Sequence, residues 1–177
     1  ILDAFARLDM PHLLLILVPR HPQRFDEVAA TIEARQLSFC RRSAGHFPTV
    51  ETRVWVGDSM GEMPAYFTVA DIALIGGSIL PFGGQNLIEA AACGCPVLIG
   101  PHSYNFAQAT ADALACGAAL RVADADHPAQ GAISLLADKA ALAAMRRAAG
   151  EFSQAHRGAT ARLLALITGT VGDRLSR

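Results

Sequence analysis

The sequence has no Cys-x-x-Cys pair, no Gly-x-Gly-x-x-Gly turn and no Gly-x-x-x-x-Gly-Lys loop. The first absence removes the usual zinc and thiol-redox spacings, and the other two remove the dinucleotide fingerprint and the P-loop. Long apolar runs are also missing. The longest, Leu13 to Val18 and Ala113 to Val122, are too short to span a bilayer as a helix. The first segment does not read as a secretory leader, because Asp3, Arg7 and Asp9 interrupt its helical pattern with charge. Charge of one sign is lacking too: 15 Lys and Arg against 16 Asp and Glu leave a formal net charge of −1. That balance gives no electrostatic reason to expect a nucleic-acid partner. The four cysteines, Cys40, Cys93, Cys95 and Cys116, read as packed free thiols in a reducing compartment, and no metal site is expected.

What is present is a core. Hydrophobic residues make up 52% of 177, and charged residues 18%, which suits one packed domain over residues 1–177 rather than a disordered chain. The chain opens abruptly in a helical pattern, Leu2 to Leu8, which suggests a piece of something longer. Short apolar strands then alternate with helical stretches, the pattern of an α/β fold whose parallel sheet of about six strands carries helices on both faces. Strands are expected at His12–Val18, Leu37–Arg41, Thr52–Val56, Asp71–Ile75, Pro96–Ile99 and Ala118–Val122. Helices are expected at Gln23–Arg35, Glu62–Ala70, Leu87–Cys93, Phe106–Cys116, Ala129–Ala137, Lys139–Phe152 and Ala159–Val171, with Gly94 and Gly117 as C-caps.

The unusual residues all follow strands. Pro19-Arg20-His21-Pro22 leaves the first, Gly57-Asp58-Ser59-Met60-Gly61-Glu62 the third, Gly76-Gly77-Ser78 the fourth, and Gly100-Pro101-His102-Ser103-Tyr104-Asn105 the fifth. In an open α/β sheet these loops converge on the carboxyl edge, where ligands bind. Arg20 can fork onto a phosphate there, or simply cap a neighbouring loop. His21 has no evident carboxylate partner. Met60, Gly61 and Glu62 suit the reading of a base edge, although Asp58 or Ser59 can equally cap the following helix. Asn105 reads as the N-cap of the Phe106 helix.

The stretch from Gly76 to Glu89 carries four glycines in nine residues, so its backbone can approach a ligand closely. The helix behind it points its positive dipole end at the same place, an arrangement suited to the phosphate of a nucleotide. Ser78 can donate to that phosphate or terminate the strand. Asn86 and Glu89 lie one turn apart, where a carboxylate can accept from ribose hydroxyls; the same spacing is a capping box. Arg157, Arg162, Arg174 and Arg177 beside Leu163, Leu164, Leu166, Ile167 and Val171 make a basic amphipathic stretch, either packed on the sheet or laid on an anionic membrane.

Taken together, Leu14 to Phe25, Gly57 to Met63, Gly76-Gly77-Ser78, Gly83 to Glu89 and Gly100-Pro101-His102 resemble the C-terminal half of the 3-deoxy-D-manno-octulosonic acid (Kdo) transferases of lipopolysaccharide biosynthesis. The resemblance runs from Leu14 to about Asn105. It implies a GT-B glycosyltransferase, in which two Rossmann-like domains face each other across a cleft. The C-terminal one would hold the donor, CMP-Kdo, with no separate cofactor or metal. The N-terminal one, absent from this chain, would bind the lipid A precursor, carry the catalytic carboxylate and meet the cytoplasmic face of the bacterial inner membrane. No catalytic residue is therefore expected here.

Carried across by motif, Arg20 and the Gly77–Ser78 loop would sit at the phosphate, Met60, Gly61 and Glu62 around the cytidine, and Asn86 and Glu89 at the ribose or phosphate edge, with His21 also among the donor-binding residues. The family often has His where Gln85 stands and Pro where Ala90 stands; Gln85 keeps a donor but cannot titrate. A UDP-sugar enzyme of the same fold, or a nucleotide-binding domain without activity, are the competing readings.

Overall fold

The computed structural model describes residues 1–10, 12–123 and 127–156. The first helix, α1 (Leu2–Ala6), leads to β1 (Leu15–Leu17), then α2 (Phe25–Glu33) and β2 (Phe39–Arg41). Next come β3 (Val54–Val56), α3 (Met63–Val69), β4 (Ala73–Leu74), α4 (Leu87–Ala92) and β5 (Val97–Ile99). The chain continues through α5 (Ala107–Ala115), β6 (Ala119–Arg121), α6 (His127–Ala137) and α7 (Lys139–His156). Short 3-10 turns precede α2 and α5 and follow β2.

Six parallel strands form, as the alternation predicts, but they are shorter than the apolar runs that contain them. They also hydrogen-bond as two triplets, β1-β3-β2 and β4-β5-β6. The middle strand of each triplet is flanked by a strand on either side and covered on both faces. Val54-Trp55-Val56 and Val97-Leu98-Ile99 are buried at every position, so each reads as an unbroken apolar run. Around β3 the core is Phe5, Ile32, Val54 and Val56; around β5 it is led by Ile75, Leu87, Val97, Ile99, Ala149 and Phe152.

The two halves meet through α3. Its Tyr66 ring packs edge-on against Trp55 with centroids 5.5 Å apart, and the carbonyl of Ala70 at its end accepts from the Cys95 thiol at 3.7 Å. Burial raises that thiol's pKa to about 11. Gly94 and Gly117 end α4 and α5 as expected. The amides of Gly94 and Cys95 reach back to Ala91 and Ala90, and those of Gly117 and Ala118 to Leu114 and Ala113. Each helix is thereby turned directly into the next strand. Asp138 starts α7 by accepting from the amides of Ala140 and Ala141 at 3.0 and 2.9 Å, and α7 runs four residues past its expected end to His156. All four cysteines are free: Cys95 is buried, Cys40 and Cys93 are half-buried, and Cys116 lies on the surface rather than in the packing. The expected helix at Ala159–Val171 and the four C-terminal arginines lie outside the described residues.

Candidate functional site

Register aligns the strand ends. Leu17, Val56 and Arg41 are partners across one triplet, and Leu74, Leu98 and Leu120 across the other. The loops predicted to matter therefore leave each sheet at a common edge. β1 and β4 each stand at one end of their triplet, and ligands of open α/β sheets bind outside the carboxyl ends of the strands. The loops leaving β1 and β4 touch there: Arg20 donates from Nη1 to Oε1 of Gln85 at 2.6 Å.

Gln85 belongs to the glycine loop after β4. Its neck is closed by Gly84 N–H to the Gly77 carbonyl at 2.9 Å and Gln85 N–H to the Gly76 carbonyl at 3.0 Å. The loop after β5 braces it from the side. His102 N–H donates to the Ser78 carbonyl, Asn105 N–H to the Gly83 carbonyl, and the Tyr104 hydroxyl to the Pro81 carbonyl at 2.7 Å. Contact at Gly83 is close enough to require glycine. Its φ is +87°, and a Cβ there would lie 2.3 Å from Asn105 Nδ2. The outcome is a fixed loop with the exposed side chains of Leu80 and Phe82 at its tip.

Two expectations about these loops are corrected. The Ser78 hydroxyl is fully buried; it donates to the Ile75 carbonyl at 2.6 Å and accepts from Gly100 N–H at 2.9 Å. Its one proton is used, so its side chain fastens β4 to β5 instead of facing out from the carboxyl edge. Asn105 does not cap the following helix, because a 3-10 turn over Tyr104–Phe106 already contains it. Its side chain donates to the Phe82 carbonyl at 3.3 Å instead.

At the start of α4, Asn86 accepts from the Ile88 amide at 3.0 Å and donates to Glu89 Oε1 at 3.0 Å. This is a cap, but not the full capping box, since Glu89 meets the Asn86 side chain rather than its backbone amide. Glu89 remains exposed beside the loop. α4 has six residues, so its dipole is weaker than a long helix would give, and one of its first amides is already satisfied by Asn86.

The loop after β3 is held by residues that sequence reasoning missed. Arg41 ends β2 and Arg42 follows it, where nothing in the sequence pattern marks them. Arg41 pairs with buried Asp58 at 2.6 Å and with Asp26 at 2.7 Å, while Ser43 donates to Asp58 through its amide at 2.8 Å and its hydroxyl at 2.5 Å. Burial alone would raise the Asp58 pKa, but the Ser43 and Arg41 hydrogen bonds outweigh it and hold the carboxyl below its ordinary value. Neither Asp58 nor Ser59 caps α3. Glu62 occupies the N-cap position, with the Ser59 hydroxyl donating to its carboxylate and Arg42 pairing with it at 2.9 Å. The Ser59 bond first, and Arg42 after it, lower the Glu62 pKa against a smaller desolvation effect. Between these anchors Met60 is 66% exposed and Gly61 has open space around it.

The structure thus brings Arg20, Gly77, Gln85, Asn86 and Glu89 into one neighbourhood, linked through Arg20–Gln85 and the loop itself. Met60, Gly61 and Glu62 stand on the loop leaving β3, the strand that pairs with β1. His21 is exposed directly after Arg20, at the start of a 3-10 turn. Arg20, like Arg53 and Arg121, is partnered by a neutral oxygen rather than a carboxylate. Arg24, Arg35, Arg41, Arg42 and Arg146 each lie within 3.1 Å of a carboxylate, whereas Arg20 meets only a neutral amide among the described residues. Within the same bounds, no group of three or more His, Cys, Asp or Glu side chains is placed to hold a metal ion, and no helix is long and apolar enough to cross a membrane.

An open parallel α/β fold, with a braced glycine loop and an arginine side chain at its carboxyl edge, defines a Rossmann-like domain. No family model matches the chain. Known proteins do. It is 52% identical over 155 residues to the 3-deoxy-D-manno-octulosonic acid transferase of Bordetella pertussis, covering 87% of this chain and 36% of that protein. The enzyme of the same name from Haemophilus influenzae is 38% identical over 158 residues, covering 89% of this chain and 37% of that protein. Among solved structures, the C-terminal CMP-Kdo binding domain of WaaA from Acinetobacter baumannii superposes with a TM-score of 0.83 at 32% identity, covering 87% of this chain and 81% of that one. The chain belongs to the 3-deoxy-D-manno-octulosonic acid transferases, a family of glycosyltransferases, and has the fold of their C-terminal domain. It spans little more than a third of the length of those two relatives.

Proposed function

We propose that this chain is the donor-binding half of a Kdo transferase, and that it holds CMP-Kdo at the carboxyl edge of its strands. The observation that carries the reading is Arg20, held on the glycine loop by Gln85 with no carboxylate partner among the described residues. In this reading the guanidinium and the Gly77 loop receive the phosphate, with His21 beside them. Glu89, oriented by Asn86, accepts from the ribose, and the anchored Met60–Gly61–Glu62 loop meets the cytosine. When the bond between the sugar's anomeric carbon and the phosphate oxygen breaks, negative charge grows on the departing CMP. A fixed guanidinium at that oxygen stabilises the transition state more than the ground state.

The acceptor, a lipid A precursor at the cytoplasmic face of the inner membrane, and the base that deprotonates it belong in this reading to the part of the relatives without counterpart here. Positioning two reactants contributes about 7–11 kcal/mol, and a general base a further factor of roughly 10²–10⁴. The chain alone should therefore bind donor without transferring Kdo.

Calorimetric titration of the chain with CMP, UMP and cytidine tests the proposal. CMP should bind more tightly than UMP, and Arg20→Ala should weaken CMP by about 1.5–3 kcal/mol, the scale of a charge-assisted hydrogen bond. Equal affinity for CMP and UMP would refute the choice of donor. Incubation with CMP-Kdo and acceptor should give no product by mass spectrometry; transfer would place the catalytic groups in this half.

A further inference from the structure

We propose that Gln85 is a positioning residue for Arg20, fixing its guanidinium on the glycine loop while leaving the positive charge available to the donor phosphate. This rests on the reading of the edge as a phosphate site.

Arginine only donates, so the oxygen of the Gln85 amide must face it and the amide nitrogen must point elsewhere. The structure agrees: Oε1 lies 2.6 Å from Arg20 Nη1, and Nε2 lies over Gly77, 3.8 Å from where a Cβ on that glycine would stand. The side chain is fixed at its root as well. Its backbone N–H bonds to Gly76 at 3.0 Å, and its Cγ lies 3.9 Å from the Cβ position of Gly76. Gln85 is thus seated on the loop, and Arg20, 65 residues earlier and on the other strand triplet, is seated on Gln85.

Two consequences follow for an arriving phosphate. A long arginine side chain that is already oriented loses less rotamer freedom on binding. An amide acceptor, unlike the carboxylates that hold Arg24, Arg35, Arg41, Arg42 and Arg146, removes none of its charge. A glutamate in the same place would make the same hydrogen bond and cancel the charge the ligand needs. Orientation and neutralisation are thereby separable at one atom.

The test uses Gln85→Glu and Gln85→Ala, each with and without Arg20→Ala, titrated with CMP and with cytidine, which lacks the phosphate. Gln85→Glu should weaken CMP about tenfold or more, and Gln85→Ala only a few-fold, with cytidine affinity unchanged in both. In the Arg20→Ala background the Gln85→Ala loss should shrink to less than about twofold, as coupling through Arg20 requires. Melting temperature confirms that each variant is folded. Wild-type CMP affinity in Gln85→Glu, equal losses of CMP and cytidine, or a Gln85→Ala loss that persists in full without Arg20 would each overturn the proposal. Failure of the unsubstituted chain to bind CMP would instead overturn the nucleotide reading beneath it.

Discussion

Replacing Ser78 with alanine separates two roles the sequence left open for this residue. Its hydroxyl is fully buried, donates to the Ile75 carbonyl at 2.6 Å and accepts from Gly100 N–H at 2.9 Å. Alanine removes both bonds without admitting water. The Gly100 amide becomes a buried orphan at about 1–3 kcal/mol, and the weakened Ile75 carbonyl adds about 0.5–1.5 kcal/mol. Together the loss is about 2–4 kcal/mol, which lowers the melting temperature of a chain this size by about 5–15 °C. Urea unfolding should show a lower midpoint with an unchanged slope, because the surface exposed on unfolding is the same. CMP affinity of the folded fraction, measured well below the transition, should change less than threefold. A variant with wild-type stability and much weaker CMP binding would show instead that the hydroxyl turns out to the ligand, and the buried brace would be wrong.

Gly100→Ala should be more damaging, since its Cβ would stand 2.3 Å from the Ser78 carbonyl oxygen; we expect a loss of about 3 kcal/mol or more and little folded protein in a thermal melt. Glu89→Gln keeps an acceptor for Asn86, so the melting temperature should hold while CMP binding falls; the reverse outcome would assign Glu89 to capping alone. Asp58 provides the pH prediction: its carboxyl is held below the ordinary 3.8, so its contribution is present above that value and disappears as pH falls through the lower folded-state pKa. Asp58→Asn should therefore lower stability at pH 7 and flatten the acid limb of the stability curve in denaturant titrations. Exposed Cys116 should react with a thiol reagent at pH 8 in the folded state, whereas Cys95, with its pKa near 11, should react only on unfolding, as mass mapping would show.

The sequence alone determined the α/β class, the order of strands and helices, and which loops leave the carboxyl ends of the strands. It could do so because burial on both faces leaves an unmistakable run such as Val97-Leu98-Ile99, and because glycine marks backbone constraint wherever it clusters. Arg20, Met60 and Gly77 were placed by the same logic, since each stands in a loop leaving a strand and the carboxyl end of a parallel strand is a fixed place, whereas Glu89 lies within α4. Tertiary structure decided which side chains meet. No local pattern says that Arg20 will find Gln85, that Arg41 and Arg42 will anchor Asp58 and Glu62, or that the Ser78 hydroxyl will turn inward to Gly100. Those pairs are 65, 17, 20 and 22 residues apart; the last three join the ends of paired strands or the loops leaving them, and the first joins loops from the two separate triplets. Partition into two strand triplets was equally invisible, since hydrogen bonding between parallel strands depends on neighbours the chain reaches only through a helix.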